Sequence, residues 1–141
     1  MPSFKVFDIA GSGLSAQSVR LNTVASNLAN ADSISSDPST VYKARHPVFQ
    51  AVRAAVGSAA NGQSSDAAVR VSGIVESNAA PTVRHDPGNP LADAQGNVYA
   101  PNVNVIEEMT DMISASRAYQ NNVEVMNTSK DLMLATLKLG Q

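Results

Sequence analysis

Residues Asn104–Leu139, NVIEEMTDMISASRAYQNNVEVMNTSKDLMLATLKL, contain neither proline nor glycine and decide how the chain is built. Val105, Met112, Tyr119, Met126 and Met133 recur every seventh position. Met109, Val123 and Leu137 form the adjoining row, interrupted by Ser116 and Lys130. A seven-residue beat of this kind gives a helix one apolar seam. Ile106, Ile113, Leu132 and Leu134 widen the face beyond a simple two-helix contact. Asn104 can cap the start, Glu107 can complete a capping box, and Gly140 can end the helix. A continuous helix of about 35 residues is roughly 52 Å long, at about 1.5 Å per residue. A compact chain of this size is only about 37 Å across. Either the helix outreaches its own globule and needs partners, or it kinks inside an ordinary α+β core. Periodicity leaves both open.

The opposite end of the chain has the same beat. Phe7, Leu14, Leu21 and Leu28 stand seven apart, with Ala10, Val24 and Ala31 three positions later and Gln17 as the break. This predicts a helix over residues 4–31. Gly11 and Gly13 weaken its first turns by about 1 kcal/mol each relative to Ala, so it is poorly stable alone. Every proline except Pro2 lies between the two helical zones. There, Val41–Arg45, Pro47–Val52 and Val69–Val75 read as short strands. Residues 57–66 read as a flexible hairpin tip, Asp86–Pro90 as a turn, and Gln95-Gly96-Asn97 as a turn entering a last strand at Val98-Tyr99. The fold class is mainly α with a small β-rich insert. Its parts are an N-terminal helix region (1–33), a β-rich middle (34–101) and a C-terminal helix region (102–141).

Composition narrows the function. Of 141 residues, 43% are hydrophobic but only 4% aromatic, so any core is built from aliphatic side chains and Met. A net charge of −2 with no basic cluster argues against nucleic-acid binding. Without cysteine there is no disulfide framework, thiol nucleophile or Cys-based metal site. No segment approaches the roughly 20 apolar residues that span a bilayer, so the chain is not expected to be an integral membrane protein. The N-terminus lacks the basic start and apolar run of a cleavable signal, so any export must proceed without one.

A search for chemistry is negative. His46 and His85 each stand beside a turn without a third ligand, and read as exposed loop residues rather than a metal site. Glu107, Glu108 and Asp111 read as solvated residues favoured by the helix dipole. Gly11-Ser12-Gly13 lacks the Lys-Ser/Thr of a phosphate loop. No catalytic, cofactor-binding or metal residue is assigned, no small-molecule substrate is expected, and the chain is not read as an enzyme. The Met row suits either a core or an adaptable interface. Gln17, Asn22, Asn27, Asn30, Gln120, Asn121, Asn122 and Asn127 are many amides for helix interiors, and are read as an interface rather than a solvated face.

Longer motifs point further. Phe7–Gln17, Arg20-Leu21-Asn22 and Ala25–Ser33 resemble the N-terminal signature of flagellar rod and hook proteins. Pro101–Val105 with Glu108-Met109, then Ser116–Gln120 and Asn122, resembles their C-terminal signature. Pro87–Gly96 and the short length narrow the resemblance to proximal-rod proteins of the bacterial flagellum. It covers most of the chain outside 57–66. Asn121 stands where an Ala is usual and Asn97 where an aromatic is usual. The resemblance marks Asn27, Asn30, Asn102, Glu108, Arg117, Tyr119 and Asn122 as motif residues. It implies that the terminal helices pair as an antiparallel-type coiled coil lining a hollow, torque-transmitting shaft. Phe7, Leu14, Leu21, Val24, Leu28, Val105, Met109, Met112, Tyr119, Val123, Met126, Met133 and Leu137 are its expected seam. Implied partners are other rod subunits, further copies of the chain and the flagellar type III export apparatus, and the implied location is the basal body, in the rod crossing the periplasm. The competing reading is a soluble adaptor or chaperone-like module with a Met-rich helix groove.

Overall fold

The computed structural model describes residues 2–53 and 67–139. Two long helices occupy the ends: α1 (Pro2–Ala29) and α2 (Val105–Leu139). Pro2 sits in the first turn of α1, where a missing N–H costs nothing. The helix closes at Asn30, whose side-chain amide donates to the Ser26 carbonyl at 2.8 Å and satisfies one terminal acceptor. Asn104 caps α2, its Oδ1 accepting from the backbone N–H of Ile106 at 3.2 Å and of Glu107 at 3.5 Å. The return half of the capping box is absent among the described residues. Glu107 points to solvent, and its neighbour Glu108 turns inward.

The helices run antiparallel. Asn27 of α1 meets Glu108 of α2, Arg20 meets Asp111, and Gly13 lies under Asn122. Near the far end, Val6 shares a small cleft with Ser129, Leu132, Met133 and Thr136. Contact thus extends over most of α1.

Between the helices lie two separate two-stranded antiparallel sheets, β1 (Arg45–Arg53) with β2 (Ala67–Glu76) and β3 (Thr82–His85) with β4 (Asn97–Ala100). In the first, Val48 pairs with Gly73 and Phe49 with Val71, which leaves Ser72 as the extra residue of a bulge. Its Oγ donates to the Val48 carbonyl at 3.1 Å. The expected strand Val41–Arg45 forms only at Arg45. Val41 to Ala44 are irregular because part of their hydrogen bonding comes from elsewhere: the Ala44 N–H donates to Asn102 Oδ1 at 2.9 Å. Strand β3 was not anticipated. The expected hairpin tip at 57–66 lies outside the described residues. Gly96, in the β3–β4 connection, has φ +77°, and a Cβ there would stand 3.0 Å from the His85 ring.

Three layers result. One side of α1 packs on α2 and the other on β1 and β2, while among the described residues α2 packs on no strand. The α1 side chains also cap the hairpin edges. Asn27 takes both the N–H and the carbonyl of Arg45, and Ser12 Oγ accepts the Val69 N–H at 3.1 Å. The buried apolar set is small: Ala10, Ala16, Val24, Val41, Ala44, Val98 and Ala115. Alanines at the helix contact let the backbones approach closely. Val98, with the bridge between Ser35 and Tyr99, ties the second sheet to the turn after α1.

Candidate assembly site on the terminal helices

Asn27 is the hub of the structure. It is fully buried, and its amide meets its full hydrogen-bonding capacity. Nδ2 donates to the Arg45 carbonyl and to Glu108 Oε1, both at 2.8 Å. Oδ1 accepts from the Tyr42 hydroxyl at 2.9 Å and the Arg45 N–H at 3.0 Å. One side chain therefore fastens α1 to α2, to the Val41–Arg45 segment and to the start of β1. Asn102 makes a second clamp, accepting from Ala44 N–H and donating to the Ala79 carbonyl. The reading of Glu108 as solvated is corrected: it is 5% exposed, because the Asn27 amide draws it inward. Asp111 is also engaged, accepting from Arg20 Nη2 at 2.7 Å.

Further along the seam polarity persists. A Cβ on Gly13 would stand 2.8 Å from Asn122 Nδ2, so the missing side chain makes room for that amide. Gln17 Oε1 and Glu108 Oε2 are buried without a hydrogen-bond partner among the described residues. Of the expected amide interface, Asn27 bonds within the chain and Asn30 bonds its own helix. Asn22, Gln120, Asn121 and Asn127 face solvent.

The apolar rows divide. Val24 is buried; Phe7, Leu14, Leu21 and Leu28 are half-buried on α1, as are Met112, Met126 and Met133 on α2. Val105, Met109, Tyr119, Val123 and Leu137 are exposed, Met109 to 53% and Leu137 to 68%. The row turned toward α1 instead carries Glu108, Ala115, Asn122 and Ser129, the small and polar positions one residue before Met109, Ser116, Val123 and Lys130. Together with Ile106, Ile113, Leu132 and Leu134, the exposed residues leave much of α2 apolar and uncovered. Arg117 is exposed and has no hydrogen bond or ion pair among the described residues.

Residue-level reasoning missed Tyr42, Arg45 and Ala115. Only the seven-residue spacing 108-115-122-129 signalled that row, and a search for apolar side chains passes over it. Below the end of α1 a polar cleft of about 550 Å³ opens beside Tyr42 and Lys43. Several of its hydroxyls are already used internally: Ser35 with Thr40, Ser33 with the Asn30 carbonyl, and Ser39 with Asp37. The Asn97 N–H, followed by Tyr99 and Gln95, holds the Asp93 carboxyl below its ordinary range, and the hydrogen bond that the Tyr99 hydroxyl donates to Asp93 raises the pKa of that hydroxyl. His46 and His85 are exposed on different sheets.

A seam sealed by a polar hub at one end, with an apolar face left open on one helix, suits a part that is completed by neighbours. Comparison with known proteins bears on that directly. Residues 7–33 match the family model described as flagella basal body rod protein, and residues 94–139 match that of the flagellar basal body rod FlgEFG protein C-terminal. The flagellar basal-body rod protein FlgC of Escherichia coli O157:H7 is 53% identical over 141 residues, the whole of both chains. The chain belongs to the FlgC family. Salmonella typhimurium strain LT2 FlgC is 52% identical, again over both whole chains. Aquifex aeolicus FlgC is 38% identical over 138 residues, which is 98% of this chain and 97% of the relative. The FlgC family match covers the helices and the insert alike, so the hub and the open face both lie within it.

Proposed function

We propose that the chain is a structural subunit of the proximal rod of the bacterial flagellar basal body, with α1 and α2 packed as a coiled coil and their uncovered face buried by neighbours. The observation that carries this is the exposed stripe of Val105, Ile106, Met109 and Ile113 on α2, in a chain related over its full length to rod proteins. Burying apolar surface stabilises association by about 25 cal/mol per Å² of surface removed from water. Contacts between unlike faces of successive subunits do not close on themselves and so generate a helical tube. On this reading the partners are other rod subunits and further copies. On the same reading the chain reaches the rod, across the periplasm, through the flagellar type III export apparatus. The full-length likeness to rod proteins leaves the adaptor reading without support. Among the described residues, no helix is long and apolar enough to cross a membrane.

The test is Met109→Asp, on the exposed side of α2. The expected result is an unchanged melting temperature for the purified chain and loss of the subunit from isolated basal bodies. Normal incorporation and swimming would refute the reading.

A further inference from the structure

The two charged motif residues of α2 are each left incomplete within a single chain. Glu108 is almost wholly buried, yet among the described residues only Oε1 has a partner, and Oε2 lies buried with none. Buried polar atoms without partners are uncommon, and for a charged group the cost is large. The surroundings make it worse. Glu108 is bonded to the last turn of α1, the negative end of that helix, and that turn contains no basic residue. This position calls for a cation. Arg117 is the converse: an exposed guanidinium with no anion among the described residues.

Their placement explains why one chain cannot join them. Nine residues along a helix is about 14 Å of rise and about half a turn of rotation. Val105, Met109 and Ile113, exposed to 42, 53 and 54%, lie on the surface between the two directions. A molecule that covers this stripe desolvates Arg117 at one edge and closes over the first turn of α2 at the other. Arg is suited to such a site because its guanidinium is weakly hydrated and binds carboxylates with two parallel hydrogen bonds.

We propose that Glu108 of one subunit receives Arg117 of a second copy of this chain, Oε1 keeping the Asn27 amide while Oε2 turns out of the seam toward the stripe as the copies meet. The pairing joins unlike faces, so it repeats from copy to copy without closing. It rests on the rod-subunit reading and specifies one contact of that assembly.

The test uses the full chain in cells lacking the wild-type subunit, with incorporation measured in isolated basal bodies and folding measured on purified protein. Arg117→Glu is expected to fold like wild type and to cut incorporation by about tenfold, the size of a modest interfacial charge contribution. Adding Glu108→Gln to Arg117→Glu removes the facing charge and should recover most of that loss. Normal incorporation of Arg117→Glu would overturn the pairing, as would two effects that merely multiply. If Glu108→Gln does not fold, the absence of native cysteine provides a second arm. Val105→Cys with Ser116→Cys are about 16 Å apart along one helix, too far for an internal disulfide. Oxidised rods should then give dimers and longer ladders, and their absence overturns the proposal. Loss of incorporation by Met109→Asp alone, with Arg117→Glu normal, would leave the rod reading standing and this contact refuted.

Discussion

Asn27→Asp is the sharpest test of the hub because it changes no volume. The variant keeps Oδ1 for the Tyr42 hydroxyl and the Arg45 N–H, but replaces the donor that serves the Arg45 carbonyl and Glu108 Oε1 at 2.8 Å with an oxygen. Two hydrogen bonds are lost, one neutral and one to a charged group, worth about 1 and about 2 kcal/mol. Two carboxylates at that separation add up to about 6 kcal/mol of repulsion at an effective dielectric near 20, unless one takes up a proton. The expected destabilisation is about 3–5 kcal/mol, a large part of the stability of a small domain. Urea titration by circular dichroism should show a lower midpoint with the slope unchanged. Hydrogen exchange should show the Arg45 amide losing protection before the middle of α1. A loss under about 1 kcal/mol, with Arg45 still protected, would refute the hub.

The two glycines of α1 should respond differently. Nothing lies within 4 Å of a Cβ at Gly11, so Gly11→Ala should stabilise the chain by about 1 kcal/mol, read as a higher melting temperature. Gly13→Ala should gain less because the Asn122 amide must move, and Asn122→Ala should restore the difference. At Gly96, an L-residue must adopt φ +77° against the His85 ring, and Gly96→Ala should destabilise the β3–β4 turn by about 1–2 kcal/mol, seen as faster exchange of the Asp86 amide. Asp93 has a folded pKa below its unfolded value. Its contribution is therefore present above pH about 4 and lost as pH falls through the folded pKa. Asp93→Asn should remove that acid-side pH dependence in a pH titration of stability.

Much of the architecture was legible in the sequence because helices advertise themselves by period. The proline-free ends gave α1 and α2 to within about two residues, and Pro47–Val52 and Val69–Val75 fell inside β1 and β2. The seam was harder. Counting apolar side chains selects the row through Met109 and Val123, whereas α1 packs on the row through Ala115 and Asn122, where small size permits close approach and amides set the register. Hydrophobicity marks apolar surface, and here part of that surface is not the one the chain covers itself. Glu108 was misplaced for a related reason. Its sequence position says helix start, while its burial depends on Asn27, distant in sequence, and pairings at that range carry no local signal. Strand β3 was hidden because Thr82 to His85 contains a single bulky apolar residue and is exposed throughout.

The capped edges of the first hairpin bear on how such a molecule avoids sticking to itself in the wrong way. A two-stranded sheet has two open borders, and open borders invite indiscriminate growth by strand addition. Here Asn27 blocks one border at Arg45, Ser12 blocks the other at Val69, Pro47 offers no donor, and the bulge at Ser72 breaks the regular spacing that a docking strand would need. Strand addition is obstructed at these points of the hairpin, while α2 keeps uncovered apolar surface at Met109 and Ile113. A subunit that assembles must be adhesive in one direction and guarded in the others, and in this fold the guarding falls at the borders of the first hairpin.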